Sequence, residues 1–373
     1  MLLFLFAALI PAVAAAQTPI VLGDSVRVVA GAHYAAGALQ RDLFGGGWRD
    51  LWTSEIRVPV LDLGRTGGGL RPVERGGGFQ TRSLEMAGQD GSAFRFRSVD
   101  KDPSQSLPWW FRFPGLVQMI RDQTSALLPG GALVAAELAT AAGIPHSIPH
   151  LVVMPDDTRL GDFREEFRGM LGTLEERHSP TRRQPGRDGF RHVVGTDTLE
   201  ALLHTSGGSS SSVDQREYLA ARLLDFYLND WDRHAGNWLW GTRDAEPPQL
   251  WVAIPKDRDQ AFADYGGAVV ELVRRFVPKL LPFTAQYQLE GLTVNAKVLD
   301  DSFLRGLPPR VWDSVAAALT IRLSDAAVDR ALRTLPEPYY RLGGEELART
   351  LRARRSGLPA AARAWARALA AGD

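Results

Sequence analysis

The run Asn229-Asp230-Trp231-Asp232-Arg233-His234-Ala235-Gly236-Asn237-Trp238, answered by Ile254-Pro255-Lys256-Asp257-Arg258-Asp259-Gln260-Ala261-Phe262, decides how this chain is read. The first stretch spells D-R-H-x-x-N and places Asp232 and Asn237 on one short loop. The second returns two carboxylates, Asp257 and Asp259, after an apolar run and a turn. An acid, an amide and a second acid, presented from a loop and a neighbouring strand end, form a set suited to phosphoryl transfer. That chemistry needs an acid to orient the attacking hydroxyl and a few oxygen ligands to hold a divalent metal against phosphates. Magnesium takes hard oxygen ligands and keeps several waters, so one Asn and one Asp suffice from the protein. The same letters also crowd into ordinary turns, because Asn and Asp tolerate tight backbone. On that reading Arg233 pairs with Asp230 or Asp257 on a solvated face, and His234 packs and orients the loop.

D-R-H-x-x-N followed by a strand and an Asp resembles the catalytic and metal-binding segments of the atypical kinases. These include the phosphatidylinositol kinases, the HipA-type toxin kinases, the secretory-pathway kinases and the spore-coat CotH kinases. The resemblance implies that Asp232 is the catalytic aspartate and Asn237 the first metal ligand. It makes Asp257 the aspartate that other kinases place in D-F-G, with Asp259 as its substitute. It also implies ATP with Mg²⁺ or Mn²⁺, and an α+β, bilobal protein-kinase-like fold with a small β-rich lobe, a larger mainly helical lobe and an N-terminal extension. The order of elements follows the kinase pattern over roughly residues 76–265, and the specific part is Asp232–Phe262.

Working back from that core, two glycine triplets stand at Gly67–Gly69 and at Gly76, Gly77 and Gly78. The second opens a strand pattern from Gln80 to Met86, a turn, and a second strand from Ser92 to Val99. A glycine-rich entry to a hairpin lets backbone N–H groups approach phosphates closely. The second strand is where kinases carry a phosphate-gripping lysine. Here it holds Arg95 and Arg97, with Lys101 just beyond, so Arg97 is the positional candidate and Lys101 the runner-up. Arginine binds phosphate as a planar fork, where lysine is a point charge. Residues 129–142 read as a helix stopped by Gly143 and Pro145, with Glu137 expected to pair with that cation or to lie on the polar surface. His146 and His150 are four apart, but Pro145 and Pro149 break the helix that would align them on a metal.

Leu151–Met154 reads as a buried strand and 163–176 as the lobe connection, followed by a basic Pro/Gly-rich loop over 178–193. Ser206–Ser212 is a flexible linker by composition. From Val213 an amphipathic helix delivers the Asp232 loop; Trp238–Trp240 and Leu250–Ile254 pair around a turn and bring Asp257 back beside Asn237. Beyond Tyr265 the apolar faces predict helices around 267–282, 312–334 and 344–371. The chain therefore divides into 1–16, 17–75 (an extension with an aromatic patch at Trp48–Trp52), a small lobe over 76–177 and a large lobe over 178–373.

Residues 1–17 pair a short apolar core with Ala14-Ala15-Ala16, which predicts a secretory leader cleaved after Ala16, although a basic start is missing. No later stretch approaches a membrane span. Forty-three basic and 43 acidic residues give zero net charge, which argues against a nucleic-acid footprint. The absence of cysteine excludes thiol catalysis, disulfides and cysteine-zinc sites. Scarce lysine beside plentiful arginine and alanine reads as a high-GC bacterial genome. The expectation is a secreted or periplasmic enzyme moving a phosphoryl, or equally a nucleotidyl, group from ATP to a hydroxyl on a protein, lipid headgroup or glycan. The alternative is a non-catalytic kinase-like binding module in envelope assembly. A cytoplasmic HipA-like toxin kinase conflicts with the leader.

Overall fold

The computed structural model describes residues 19–76, 80–106, 109, 113–177, 189–205 and 211–372. The expected leader, Gly77 and Gly78, and most of the 178–193 and 206–212 loops lie outside them. Seven strands build the first sheet: β1 (Leu22–Val29), β2 (Glu55–Leu61), β3 (Leu70–Gly76), β4 (Thr81–Gly88), β5 (Ala93–Lys101), β6 (His150–Val153) and β7 (Leu171–Glu176). Their order is β1-β2-β6-β7-β5-β4-β3, antiparallel except where β2 meets β6. Strands β1, β2 and β3 come from the stretch expected to form an appended extension. That stretch is part of the sheet, and the glycine triplet leaves β3 for β4 at Gly76.

Alternation in β5 explains why this sheet has a chemical face. Phe94 and Phe96 are fully buried against Leu84, Met86 and Leu174. Each such ring contributes about 2–3 kcal/mol by leaving water. A side-chain period of two then sends Arg95 and Arg97 to the opposite face. Cross-strand register puts Ser83 and Thr173 beside Arg97, and Glu85 and Glu175 beside Arg95.

The second sheet has β8 (His192–Gly195), β9 (Ser211–Val213), β10 (Trp238–Thr242) and β11 (Gln249–Pro255) in the order β8-β10-β11-β9. Helices α1 (Ala38–Phe44) and α2 (Arg49–Trp52) lie between β1 and β2. Between β5 and β6 come α3 (Pro114–Asp122) and α4 (Gly131–Ala142), and α5 (Arg164–Phe167) precedes β7. Helix α6 (Thr196–Thr205) follows β8, and α7 (Gln215–Leu228) leads into the Asp232 loop. The remainder is helical: α8 (Ala268–Arg274), α9 (Leu289–Thr293), α10 (Lys297–Leu304), α11 (Pro309–Arg322), α12 (Asp325–Leu332) and α13 (Glu337–Ala371). Among the described residues no single helix is long and apolar enough to cross a membrane.

Helix α7 is the axis of the larger part. Asp214 caps its start by accepting from the N–H groups of Arg216 and Glu217, and Asn229 ends it in the left-handed conformation at φ 62°. Every residue from Leu223 to Leu228 is buried, so the helix lies inside the core. Tyr218 stacks on Trp240, and Phe226 packs on Trp365 of α13. The Trp48–Trp52 patch ties the N-terminal region to this body. Trp48 donates to the Phe262 carbonyl at 2.8 Å and Trp52 to the Leu127 carbonyl at 2.7 Å. Arg49 grips Asp122.

Candidate active site

The loop that follows α7 is organised by one buried guanidinium. Arg233 has no exposed surface and donates to the carbonyls of Asn237 (2.8 Å), Lys256 (2.9 Å) and Asp257 (3.3 Å), and to Asp230 (3.3 Å). Its Nε lies 3.4 Å from Asp225 and its plane sits over Trp238. The solvated-face reading of Arg233 is therefore wrong: the side chain is the rivet between the D-R-H-x-x-N loop and the Lys256–Asp257 backbone. Asn237 is itself buried, and its Nδ2 donates to the Asp232 carbonyl at 2.7 Å. Spending the amide nitrogen this way leaves its Oδ1 as the atom free to ligate. The Asn237 carbonyl also accepts from the Lys256 N–H at 3.1 Å. Asp232, Asn237 and Asp257 thus leave a single hydrogen-bonded knot of backbone.

Asp257 adopts φ 60° and Phe262 φ 63°. With Asn229 these are the non-glycine residues at positive φ among the described residues. The left-handed region is unremarkable for Asn229 and Asp257 but an outlier for a bulky phenylalanine. Phe262 is held there by its N–H to Leu228 (2.7 Å) and by Trp48 on its carbonyl. Strain held in place by its surroundings clusters at functional sites.

Arg97 reaches this knot from β5. Its guanidinium lies 2.7 Å from Asp257 and 3.6 Å from Asp259, and Lys101 is hydrogen-bonded to Asp259. Burial works against ionising Asp257, but Arg97 and Lys101 outweigh it and hold the carboxyl well below the usual carboxylate range. Burial and the neighbouring Asp257 charge instead push Asp259 up to about 6. Glu175, on the same sheet face, is raised by burial in spite of Arg97. The two aspartates flanking Arg258 are thereby set apart: Asp257 stays ionised in mild acid, whereas Asp259 takes up a proton as the pH falls below about 6.

Glu137 does not join this cluster. It sits on α4 with Arg330 of α12 at 3.5 Å, so the expected pair with Arg97 is replaced by a partly exposed one. The N-terminal end of α4 faces the site instead: Gly130, Gly131 and Ala132 line a cavity of about 70 Å³ with Arg97, Lys101, Glu175, Asp257 and Asp259. A wider hollow of about 910 Å³ opens at the strand ends, lined by Arg75, Gly76, Arg82 and Arg121 among others. Ser98 and Lys101 border both spaces. Only the larger falls in the size range of small-molecule sites.

Among the described residues no three His, Asp or Glu side chains form a metal cage. The donor set beside the loop is sparser: the Asn237 amide oxygen and an ionised Asp257, with Asp259 near. Such a set fits Mg²⁺ or Mn²⁺, which keep waters and complete their shell on phosphate oxygens.

Sequence reasoning passed over Asn295. Its Nδ2 donates to Asp232 Oδ1 at 2.8 Å from the segment joining α9 and α10. It also passed over Lys279, whose ammonium lies 4.6 Å from the centre of the Trp231 ring. A signal for both was present in the composition. Asparagine occurs three times in 373 residues, as Asn229, Asn237 and Asn295, and all three are in or bonded to this loop or the end of its helix. Lysine occurs four times, and Lys101, Lys256 and Lys279 stand at Asp259, Asp257 and Trp231. In a chain that uses arginine for nearly all positive charge, the exceptions gather where arginine's fork is not interchangeable with a point charge.

No family model and no curated protein matches the chain. Among solved structures it is similar to the Helicobacter pylori proinflammatory kinase CtkA, at 11% identity and a TM-score of 0.41, over 80% of this chain and 95% of that one. It is also similar to the Shewanella oneidensis MR-1 toxin–antitoxin complex of HipA, HipB and operator DNA, at 12% identity and a TM-score of 0.38, over 79% and 74% of the two chains.

Proposed function

We propose that this chain is an atypical kinase-like enzyme that moves the terminal phosphoryl group of ATP to a hydroxyl acceptor with a divalent metal. The observation that carries the reading is the contact of Arg97 with Asp257 at 2.7 Å, because it joins the strand after the glycine turn to the carboxylate beside the D-R-H-x-x-N loop. Asp232 is the residue that orients the acceptor hydroxyl. Asn237 and Asp257 are the metal ligands, with Asp259 an alternate, and the metal when bound neutralises charge on the phosphates. Arg97 and Lys101 are the phosphate-binding cations, and Gly76, Gly77 and Gly78 are assigned to the same phosphates. Glu137 drops out of it, since Arg330 holds it elsewhere.

In the structure Arg97 and Lys101 already neutralise Asp257 and Asp259. That observation favours the non-catalytic part of the second reading, a kinase-like binding module in envelope assembly. It also defines what the first requires of these residues: Arg97 and Lys101 would turn from the carboxylates to phosphate oxygens, and Asp257 and Asp259 would be freed to hold the metal. A thermal-shift titration separates the two readings. ATP with Mg²⁺ or Mn²⁺ raises the melting temperature if the first is right, and ATP in the presence of a chelator raises it less. No shift under any of these conditions supports the module.

A periplasmic or secreted location is part of the proposal and rests on the apolar run ending at Ala16. Intact-mass measurement on the exported protein should show the loss of about sixteen residues. A chain retaining Met1 in the cytoplasm refutes it and revives the toxin-kinase reading. The acceptor's class, protein, lipid headgroup or glycan, is left to substrate screening, as is nucleotidyl transfer.

A further inference from the structure

We infer that Asn295 is the positioning residue for Asp232: it ties down one carboxylate oxygen and leaves the other to take the acceptor hydroxyl. The inference rests on the reading of Asp232 given above. Asn295 Nδ2 donates to Oδ1 at 2.8 Å, and His234 Nε2 stands 4.0 Å from the same oxygen. Among the described residues nothing donates to Oδ2, and the Asp232 side chain remains 26% exposed. A carboxylate held at one oxygen cannot rotate freely about its last bond. The second oxygen then points where an incoming hydroxyl can find it without a search over rotamers.

Both ends of the contact are referenced to the same helix. Arg222, fully buried on α7, donates to the Leu292 carbonyl at 3.0 Å and to Asp300 at 2.9 and 3.1 Å. Leu292 and Asp300 flank Asn295 in sequence, so one guanidinium fixes the segment on either side of it. Tyr218, on the same helix, also donates to Asp300 at 2.8 Å. Asp232 is delivered from the other end of that helix, four residues beyond Leu228. Asn295 thus closes a loop of contacts running from Arg222 through Asp300 and Leu292 to Asp232. A residue placed merely for packing would not need an amide nitrogen aimed at a carboxylate.

The kinetic test uses the full chain and four variants, Asn295→Ala, the isosteric Asn295→Asp, Asp232→Asn and the double variant Asp232→Asn/Asn295→Ala, with ATP and Mg²⁺ and release of γ-phosphate to water as the readout. Both Asn295 variants should lower kcat about tenfold or more while nucleotide affinity stays within about twofold. The double variant Asp232→Asn/Asn295→Ala should be no slower than Asp232→Asn alone, because the amide acts only through that carboxylate. The chain's three asparagines make a second readout clean. With ¹⁵N-asparagine labelling, the side-chain pair that vanishes in Asn295→Ala should move upfield in Asp232→Ala, a variant that adds no further asparagine. If Asn295→Ala turns over at the wild-type rate while Asp232→Asn is inactive, the role of Asn295 is refuted and the reading of Asp232 stands. If the labelled pair ignores Asp232→Ala, the contact itself is refuted. A wild-type chain that binds no ATP refutes the reading of Asp232 and the positioning role with it, even where the amide responds.

Discussion

The two sides of the Arg97–Asp257 contact are built on different terms. On the α7 side, Arg222, Arg233 and Arg354 are fully buried and spend their donors on backbone carbonyls as well as on Asp225, Asp230 and Asp300. Arg354 reaches from α13 to the Phe226 and Tyr227 carbonyls at the end of α7, and to those of Thr284 and Gln286. On the sheet side, Arg97 and Lys101 are held chiefly by two carboxylates across the gap. A fully buried guanidinium shared among carbonyls and carboxylates is out of a competitor's reach, whereas Arg97 and Lys101 border a cavity and can exchange their carboxylates for a phosphate. On the proposed reading, the Asp232 loop is therefore preorganised, and the side assigned to phosphate binding is held in reserve by pairs that ligand and metal would replace. Preorganised dipoles cost nothing at the moment of reaction, which is why the fixed side should be the one carrying the chemistry.

The widest gap between the two sides should appear on removing their arginines. Arg233→Met leaves Asp225 and Asp230 buried without this partner, a change that costs about 3–5 kcal/mol. Urea denaturation should show that loss. A cost near zero would mean the loop does not depend on its rivet. Arg97→Ala should act on ligand more than on fold, weakening nucleotide binding by about 1.5–3 kcal/mol as a charge-assisted phosphate contact is lost. Unchanged affinity in calorimetry would move the role to Lys101.

Titration sharpens the same contrast within the carboxylate pair. Asp259 sits at about 6 in the folded chain, raised by burial and Asp257, against about 3.9 for an ordinary aspartate. The folded chain then holds a proton that the unfolded chain has released. Stability from this group is fully present below about pH 4 and is lost as pH rises to about 6. Asp257, depressed, works in the opposite sense and contributes above about pH 4. Asp259→Asn should therefore gain stability relative to wild type between about pH 4 and 6, measured as urea midpoints across that window. A difference that stays flat contradicts the raised value. The smallest effect is expected from Glu137→Ala, whose partly exposed pair with Arg330 is worth about 1 kcal/mol or less. Nucleotide affinity should not change, and a tenfold loss would restore Glu137 to the site.

What the sequence made legible follows the same division. The D-R-H-x-x-N loop, the hairpin of β10 and β11 and the return of Asp257 are local, each fixed by neighbours a few residues away. The strands β4 and β5 and the helix α4 were also readable from alternation and from Gly143 and Pro145. Three things were not. The place of residues 22–76 in the sheet depends on pairings such as Val60 with Val153, which no local pattern announces. Glu137 stayed open between the cation and the polar surface because a glutamate among alanines gives no sign of which side of its helix faces the cleft; Arg330 decides for the surface. Asn295 was missed because 63 residues separate it from Asp232, although the rarity of asparagine pointed to it.

The central claim is that Asp257 binds metal for a nucleotide while Asp232 serves only the acceptor. Calorimetric titration of ATP with Mg²⁺ into wild type, Asp257→Asn and Asp232→Asn tests it most directly. Wild type should bind, Asp232→Asn should bind with nearly the same affinity, and Asp257→Asn should lose the metal-dependent part. Absence of binding to wild type, or a weak Asp232→Asn beside an intact Asp257→Asn, would contradict it.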